Sequence, residues 1–249
     1  MDSVTLITGA SQGIGAATAR LLAARGHRLL VHCAHRPDLA QAVASECLAL
    51  GAPQVHVHQA DLADEAGVLS LFAAADQHLP PLTGLVNNAG IVDQTARLDA
   101  MSAQRLQRMM AINVVAPMLC AREAVRRMST KHGGLGGVIV NVSSSAVRTG
   151  SPALYVDYAA SKGAIDVFTS GLAKEVAGEG VRVCAVRPGV TDTAIHASGG
   201  EPDRVAQISP VLPMGRAARP EEVGEAIIWL LSDAASYTAG AIVDVTGAR

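Results

Sequence analysis

Seven short β-prone runs alternate with helical stretches along the 249-residue chain, and few folds accept that order. The runs are Val4-Thr5-Leu6-Ile7, Arg28 to Cys33, Gln54 to Gln59, Gly84 to Val86, Gly137 to Val142, Val181 to Val186 and Ala241 to Val245. Between them, apolar spacing predicts helices over Ile14 to Arg25, Leu39 to Leu50, Glu65 to Gln77, Ala103 to Met128, Pro152 to Ala177 and Pro220 to Leu231. Several strand runs are apolar at consecutive positions, so helices must cover both faces of the sheet.

Strand–helix–strand order means parallel crossovers of one hand, with a ligand crevice at the carboxyl ends of the strands. The expected fold is therefore α/β: a single-domain, Rossmann-type doubly wound parallel sheet of seven strands over residues 1–249. Local signals agree. Ser151-Pro152 reads as an N-cap followed by a first-turn proline. Pro220-Glu221-Glu222 places proline and two carboxylates in another first turn, where the helix dipole favours negative charge. The stretch from Thr191 to Arg219 is long and irregular, and is expected to form a substrate-binding lid.

Composition excludes several classes of function. Lys+Arg number 20 against 22 Asp+Glu, so the basic excess of a nucleic-acid binder is missing. Aromatic residues make up 2%, too few to offer stacking platforms for single strands. Apolar runs fall far short of the roughly 18 residues of a membrane span. The N-terminus, MDSVTLITGAS, has neither the basic nor the apolar region of a secretory leader. Cys33, Cys47, Cys120 and Cys184 are scattered, as expected of reduced thiols in a cytoplasmic protein. His56 and His58 share a face of the third run but have no third ligand nearby, so a structural role is expected and no metal. Arg122, Arg126, Arg127 and Lys131 read as the solvated face of a helix.

The first strand enters Thr8-Gly9-Ala10-Ser11-Gln12-Gly13-Ile14-Gly15. Glycines here allow a tight turn and a close approach of a pyrophosphate to the helix N-terminus. The spacing alone also fits a tight turn without a ligand. Tyr158 and Lys162 stand four apart on a predicted helix, hence on one face. A free tyrosine has a pKa of about 10, and a nearby ammonium is expected to lower it. Such a phenol would pass a proton to or from a carbonyl oxygen. A solvated Tyr–Lys pair is the plain alternative.

The turn, together with Asn87-Asn88-Ala89-Gly90, Asn113, Ser143-Ser144-Ser145, Tyr158-Ala159-Ala160-Ser161-Lys162 and Arg187-Pro188-Gly189 with Thr193, resembles the short-chain dehydrogenase/reductase family. The motifs run in that family's order over residues 4 to 247. The resemblance implies an NAD(P)-dependent oxidoreductase that transfers a hydride between the nicotinamide and a small-molecule ketone or secondary alcohol. It implies Asn113, Ser144, Tyr158 and Lys162 as catalytic residues. Ser145 stays open as the serine, being 13 positions before Tyr158 where Ser144 is 14. Asn113 would help hold a water near the lysine, or satisfy backbone groups at a kink; the two readings are compatible.

By the same resemblance, Gly9, Ser11, Gln12, Gly13, Ile14 and Gly15 would hold the pyrophosphate side of the cofactor. Asp61 and Leu62 would meet the adenine, and Asn88, Ala89 and Gly90 its ribose. Lys162 would bridge the nicotinamide ribose hydroxyls beside Tyr158. Pro188 and Gly189 would also bind the cofactor, and the Val190 backbone and Thr193 hydroxyl would hold the carboxamide. Cys33 takes the position of the acidic residue that favours NAD, and Arg36 would pair with a 2′-phosphate, so NADP is expected, with NAD possible. Ala146, Val147, Leu154, Tyr155, Ala194, Ile195 and His196 would wall the substrate. A homotetramer is expected. The other readings are an NAD-dependent sugar or steroid-type alcohol dehydrogenase, a non-catalytic dinucleotide-binding sensor, or a sugar-nucleotide epimerase. The chain's end just after the last strand leaves no room for the added domain of that third reading.

Overall fold

The computed structural model describes residues 3–249; Met1 and Asp2, part of the span read for a leader and for the single domain, lie outside them. Seven strands form one sheet in the order β3-β2-β1-β4-β5-β6-β7, with every neighbouring pair parallel. They are β1 Val4–Ile7, β2 Arg28–Cys33, β3 Val55–Gln59, β4 Gly84–Asn87, β5 Gly137–Val142, β6 Val181–Pro188 and β7 Ile242–Val245. The longer helices are α1 Gly13–Ala23, α2 Pro37–Ala49, α3 Glu65–His78, α4 Ala103–Met110, α5 Ala116–Met128, α7 Val156–Val176 and α10 Pro220–Leu231. Short helices α6 Ala146–Thr149, α8 Ile195–Ser198 and α9 Arg204–Ile208 stand near the strands' carboxyl ends.

The alternation of side chains explains the unbroken apolar runs. Leu6, Leu30, Leu85, Ile139 and Val183 enter one core with α3, α5 and α7. Ile7, Val31, Val86, Val140 and Cys184 enter the other with α1, α2 and α10. Successive strand residues therefore serve opposite cores, and polar positions would be costly on either face. Chain order reverses between β1 and β4, which opens the crevice of a doubly wound sheet at their carboxyl ends.

Three local expectations need correction. Ser151 does not cap a helix: its φ is +44° and that of Ala153 is +58°, both left-handed. The Ser151 carbonyl accepts from Leu154 and Tyr155 in an isolated turn, and α7 begins at Val156. The stretch from Ala103 to Met128 is not uniform; residues Ala111–Val115 wind as a π-helix around the buried Asn113. The irregular stretch at 191–219 carries α8, α9 and a 3-10 turn, Ser209–Val211. Its ends are tied by backbone bonds from Asp192 to Ala218 and from Ala218 to Val190, both 2.9 Å. At α10 the carboxylate of Glu222 accepts from the Arg219 N–H, closing the first turn as its sequence suggested.

Arg122, Arg126 and Arg127 are more than a solvated face. All three converge on Glu123, whose side chain is only 5% exposed, and Arg127 also holds Asp76. His56 stacks on His78, and His58 bonds Ser70. The four cysteines are free and buried. Among the described residues, no helix is long and apolar enough to cross a membrane.

Candidate active site

A cleft of about 770 Å³ opens at the carboxyl edge of the sheet. Its floor is the turn between β1 and α1. Gln12 stands at the N-cap of α1 in an extended conformation, offers no side-chain cap, and no acidic residue follows in the first turn. The first N–H groups of α1 are therefore left for an anion.

The turn is clamped by hydrogen bonds to main chain. The Asn88 amide donates to the carbonyls of Thr8 and Gly9, each at 2.9 Å. The Thr8 hydroxyl accepts from the N–H groups of Asn88 and Ala89, both at 3.0 Å. Gly9 has φ +64°, and a Cβ there would lie 2.9 Å from the Ala89 backbone. His32 completes the clamp: its Nδ1 accepts from the Gly9 N–H at 3.1 Å, and its Nε2 lies 3.0 Å from the Ala60 carbonyl. Since Nδ1 accepts, Nε2 carries the proton and donates to that carbonyl, and the ring is neutral. Burial pushes its pKa down to about 4.

The wall that carries Tyr158 and Lys162 is α7. Asn87 on β4 donates to Asn141 on β5, and Asn141 donates to Thr169 on α7, both at 2.9 Å. This buried ladder fixes the helix against the sheet. Ser143, at the end of β5, donates to the Lys162 carbonyl, consistent with a structural role. Ser144 lines the cleft with Tyr158, its side chain close enough to the phenol to favour the phenolate. Ser145 also lines the cleft, with its N–H bonded to the Pro188 carbonyl. The Lys162 ammonium donates to the Val142 carbonyl at 2.7 Å and lies 5.7 Å from the centre of the Tyr158 ring.

These contacts overturn one expectation about charge. Burial raises the Tyr158 pKa above its ordinary value, and Ser144 opposes that only in part. The ammonium stands over the ring, held by a carbonyl, and burial outweighs the influences that would acidify the phenol. Burial lowers Lys162 itself to about 8, with Asp166 opposing. The site holds a protonated phenol, suited to giving a proton to a carbonyl oxygen.

Most of the residues singled out in the sequence line this cleft. Gly9, Ser11, Gln12, Gly13 and Ile14 form its floor; Arg36, Asp61 and Leu62 stand at the ends of β2 and β3; Asn88, Ala89 and Gly90 follow β4; Pro188, Gly189, Val190 and Thr193 follow β6. Three of the expected catalytic and cofactor residues do not line it. Gly15 sits beneath the turn, where a Cβ would lie 2.5 Å from the Asn88 amide. Cys33 is buried with Val31 in the core beside α1 and α2. Asn113 is buried behind Gly90, bonding both the N–H and the carbonyl of Ile91 and the Ser161 hydroxyl. Its side chain thus serves the backbone, and the π turn is the kink that brings it there. Ala146, Tyr155, Ala194, Ile195 and His196 line the cleft, whereas Val147 and Leu154 do not.

The sequence reading missed His32 and Arg204. A histidine inside an apolar strand was the available signal for the first. Arg204 lay in a stretch with no regular pattern.

A glycine turn, an uncapped helix N-terminus and a reversal of strand order define a nucleotide-binding α/β protein. A family model for short chain dehydrogenases matches residues 3–203. The chain is 50% identical over 247 residues to the uncharacterized oxidoreductase YgfF of Escherichia coli (strain K12), covering 99% of this chain and 100% of that one. It is 39% identical over 249 residues to cis-4-hydroxycyclohexanecarboxylate dehydrogenase of Sinomonas cyclohexanicum, covering 99% and 96%. A solved short-chain dehydrogenase/reductase from Burkholderia xenovorans superposes with a TM-score of 0.87 at 27% identity, over 99% of this chain and 97% of that one. The chain belongs to the short-chain dehydrogenase family, and is an NAD(P)-dependent oxidoreductase of it.

Proposed function

We propose that the protein reduces a ketone, or oxidises the matching secondary alcohol, with NADP(H), and that Tyr158 supplies or takes the proton. The observation that carries this reading is that Ser144, Tyr158 and Lys162 line the cleft into which the N-terminus of α1 opens. The nicotinamide supplies the hydride when bound. In the reductive direction the carbonyl carbon gains the hydride and its oxygen gains the phenol's proton. Ser144 would donate to that oxygen and steady its developing charge. Lys162, fixed on the Val142 carbonyl, would present its remaining N–H donors to the ribose hydroxyls. Asn113 would act by positioning Ile91 behind Gly90.

NADP is supported by the end of β2. His32, Ala34, His35 and Arg36 line the cleft there, and none is a carboxylate. Arg36 is exposed and paired with Asp38 at 2.7 Å, which leaves part of its charge for a 2′-phosphate. A homotetramer remains our proposal, supported by the outer face of α7, where Val167 is 75% exposed and a Cβ at Gly171 would meet nothing within 4 Å. Ala159 and Ala173 of the same helix point inward. Light scattering at micromolar concentration reads a tetramer if this is right.

The relative that acts on cis-4-hydroxycyclohexanecarboxylate suggests a cyclic secondary alcohol as the first compound class to try. The test is NADPH consumption with 4-oxocyclohexanecarboxylate and a panel of neutral ketones. Turnover supports the reading; NADPH binding without turnover of any ketone overturns it.

A further inference from the structure

The side chains lining the cleft are unevenly charged. Among the described residues Asp61 is their one carboxylate, against Arg36, Arg108, Lys162, Arg204 and Arg249. Arg36 is answered by Asp38, and Lys162 by the Val142 carbonyl. Arg204 has a different setting. It opens α9, its guanidinium carbon lies 5.6 Å from the centre of the Tyr155 ring, and its charge reaches His196. Tyr155 and His196 both line the cleft.

Arg204 is only 19% exposed, and its one ion pair among the described residues is Nη1 with Glu201 on the preceding turn. Glu201 also stands beside the Tyr155 phenol, whose pKa it helps to raise. A guanidinium carries five N–H donors in a fixed fork. Those of Nε and Nη2 have no partner among the described residues. The fork is thus held in place at one corner and has donors to spare, inside a cleft short of acidic side chains.

We propose that Arg204 binds a carboxylate carried by the substrate, so that the protein prefers oxo acids and hydroxy acids to neutral ketones and alcohols. The inference rests on Tyr158 being the proton donor. Tyr155, Tyr158 and Arg204 line the same cleft, so one substrate can meet both the Tyr158 phenol and the guanidinium. Glu201 orients the fork and lowers its net charge, which sets the preference below that of a free arginine.

The experiment compares 4-oxocyclohexanecarboxylate with its methyl ester, which keeps the ring and the ketone and removes the charge. With the wild-type chain, kcat/KM for the acid exceeds that for the ester by about tenfold or more. Arg204→Gln raises KM for the acid by a similar factor, with kcat, ester kinetics and NADPH affinity unchanged. Arg204→Lys restores part of the preference, and Glu201→Gln lowers KM for the acid alone. Equal use of acid and ester by the wild type, equal losses on both in Arg204→Gln, or loss of NADPH affinity in that variant each overturns the assignment. If ketones are consumed without regard to charge, only the role of Arg204 falls. If no ketone is consumed at all, the proton-donor reading falls and takes this inference with it.

Discussion

The two ends of the cleft are built by different means. At the dinucleotide end, Thr8, Asn88 and His32 hydrogen-bond to main chain and fix the shape of one turn. At the other end, the wall is side chains from 191–219, carried on helices of four and five residues. Two backbone bonds at its base and the Tyr155–Glu201–Arg204 contacts hold that segment. A clamp on main chain tolerates few changes, because each removes a bond that a buried peptide group needs. A wall of side chains can be altered without disturbing the turn beside it. In the proposed reading, the first end serves chemistry common to many substrates and the second end serves substrate choice.

The sharpest way to break this division is at the residue that joins the ends. Lys162→Met is expected to lower ketone reduction by about 10²–10³-fold, the cost of removing one preorganised donor. The pH profile carries a second signature. The lysine's value of about 8 means that its charge is full below pH 7 and is lost as pH rises through 8. Wild-type reduction should fall over that range, and steady-state rates for the methionine variant should lack the break.

A smaller effect tests the clamp. His32 is buried and neutral, with its pKa near 4 where an unfolded histidine titrates near 6.5. The unfolded chain therefore binds the extra proton first as pH falls. Stability owed to this ring is present above pH 6.5 and is lost progressively toward pH 4, amounting to about 2 kcal/mol by pH 5. Urea melts at pH 7 and pH 5 should show that loss in the wild type and a smaller one in His32→Gln. Identical pH dependence in the two would remove His32 from the clamp.

The smallest effect concerns the rim. Arg36→Ala should weaken NADPH binding by about tenfold or less, because Asp38 already takes up part of the charge, and the site is open to solvent. NADH affinity should be unchanged. Titration of both cofactors by fluorescence reads the difference, and an equal loss for both would end the assignment of Arg36 to a 2′-phosphate.

The division also explains what could be read in the sequence. The sheet was legible because neighbouring residues such as Leu6 and Ile7 serve opposite cores and leave an unbroken apolar run. The dinucleotide end was legible because close approach imposes residue types: no Cβ fits at Gly15, and the short amide of Asn88 reaches two carbonyls. The period of two in β2 already held the correction to Cys33, which shares a face with Leu29 and Val31, while His32 falls on the other. The turn at 151–155 was not legible. Ser-Pro is equally suited to a helix start and to a bend, and neither Ser151 nor Ala153 is a residue type that announces the left-handed backbone both adopt. The role of Arg204 was hidden for a similar reason: which arginine faces a cleft depends on how a patternless segment folds back over it.

The central claim is that the Tyr158 phenol supplies the proton in the cleft that binds the dinucleotide. Its most direct test is single-turnover oxidation of bound NADPH on mixing with a ketone, compared between wild type and Tyr158→Phe. The account predicts equal NADPH affinity and a decay slowed by about 10²–10⁴-fold in the variant, the usual span for losing a positioned acid. A phenylalanine variant that oxidises NADPH at the wild-type rate would contradict it.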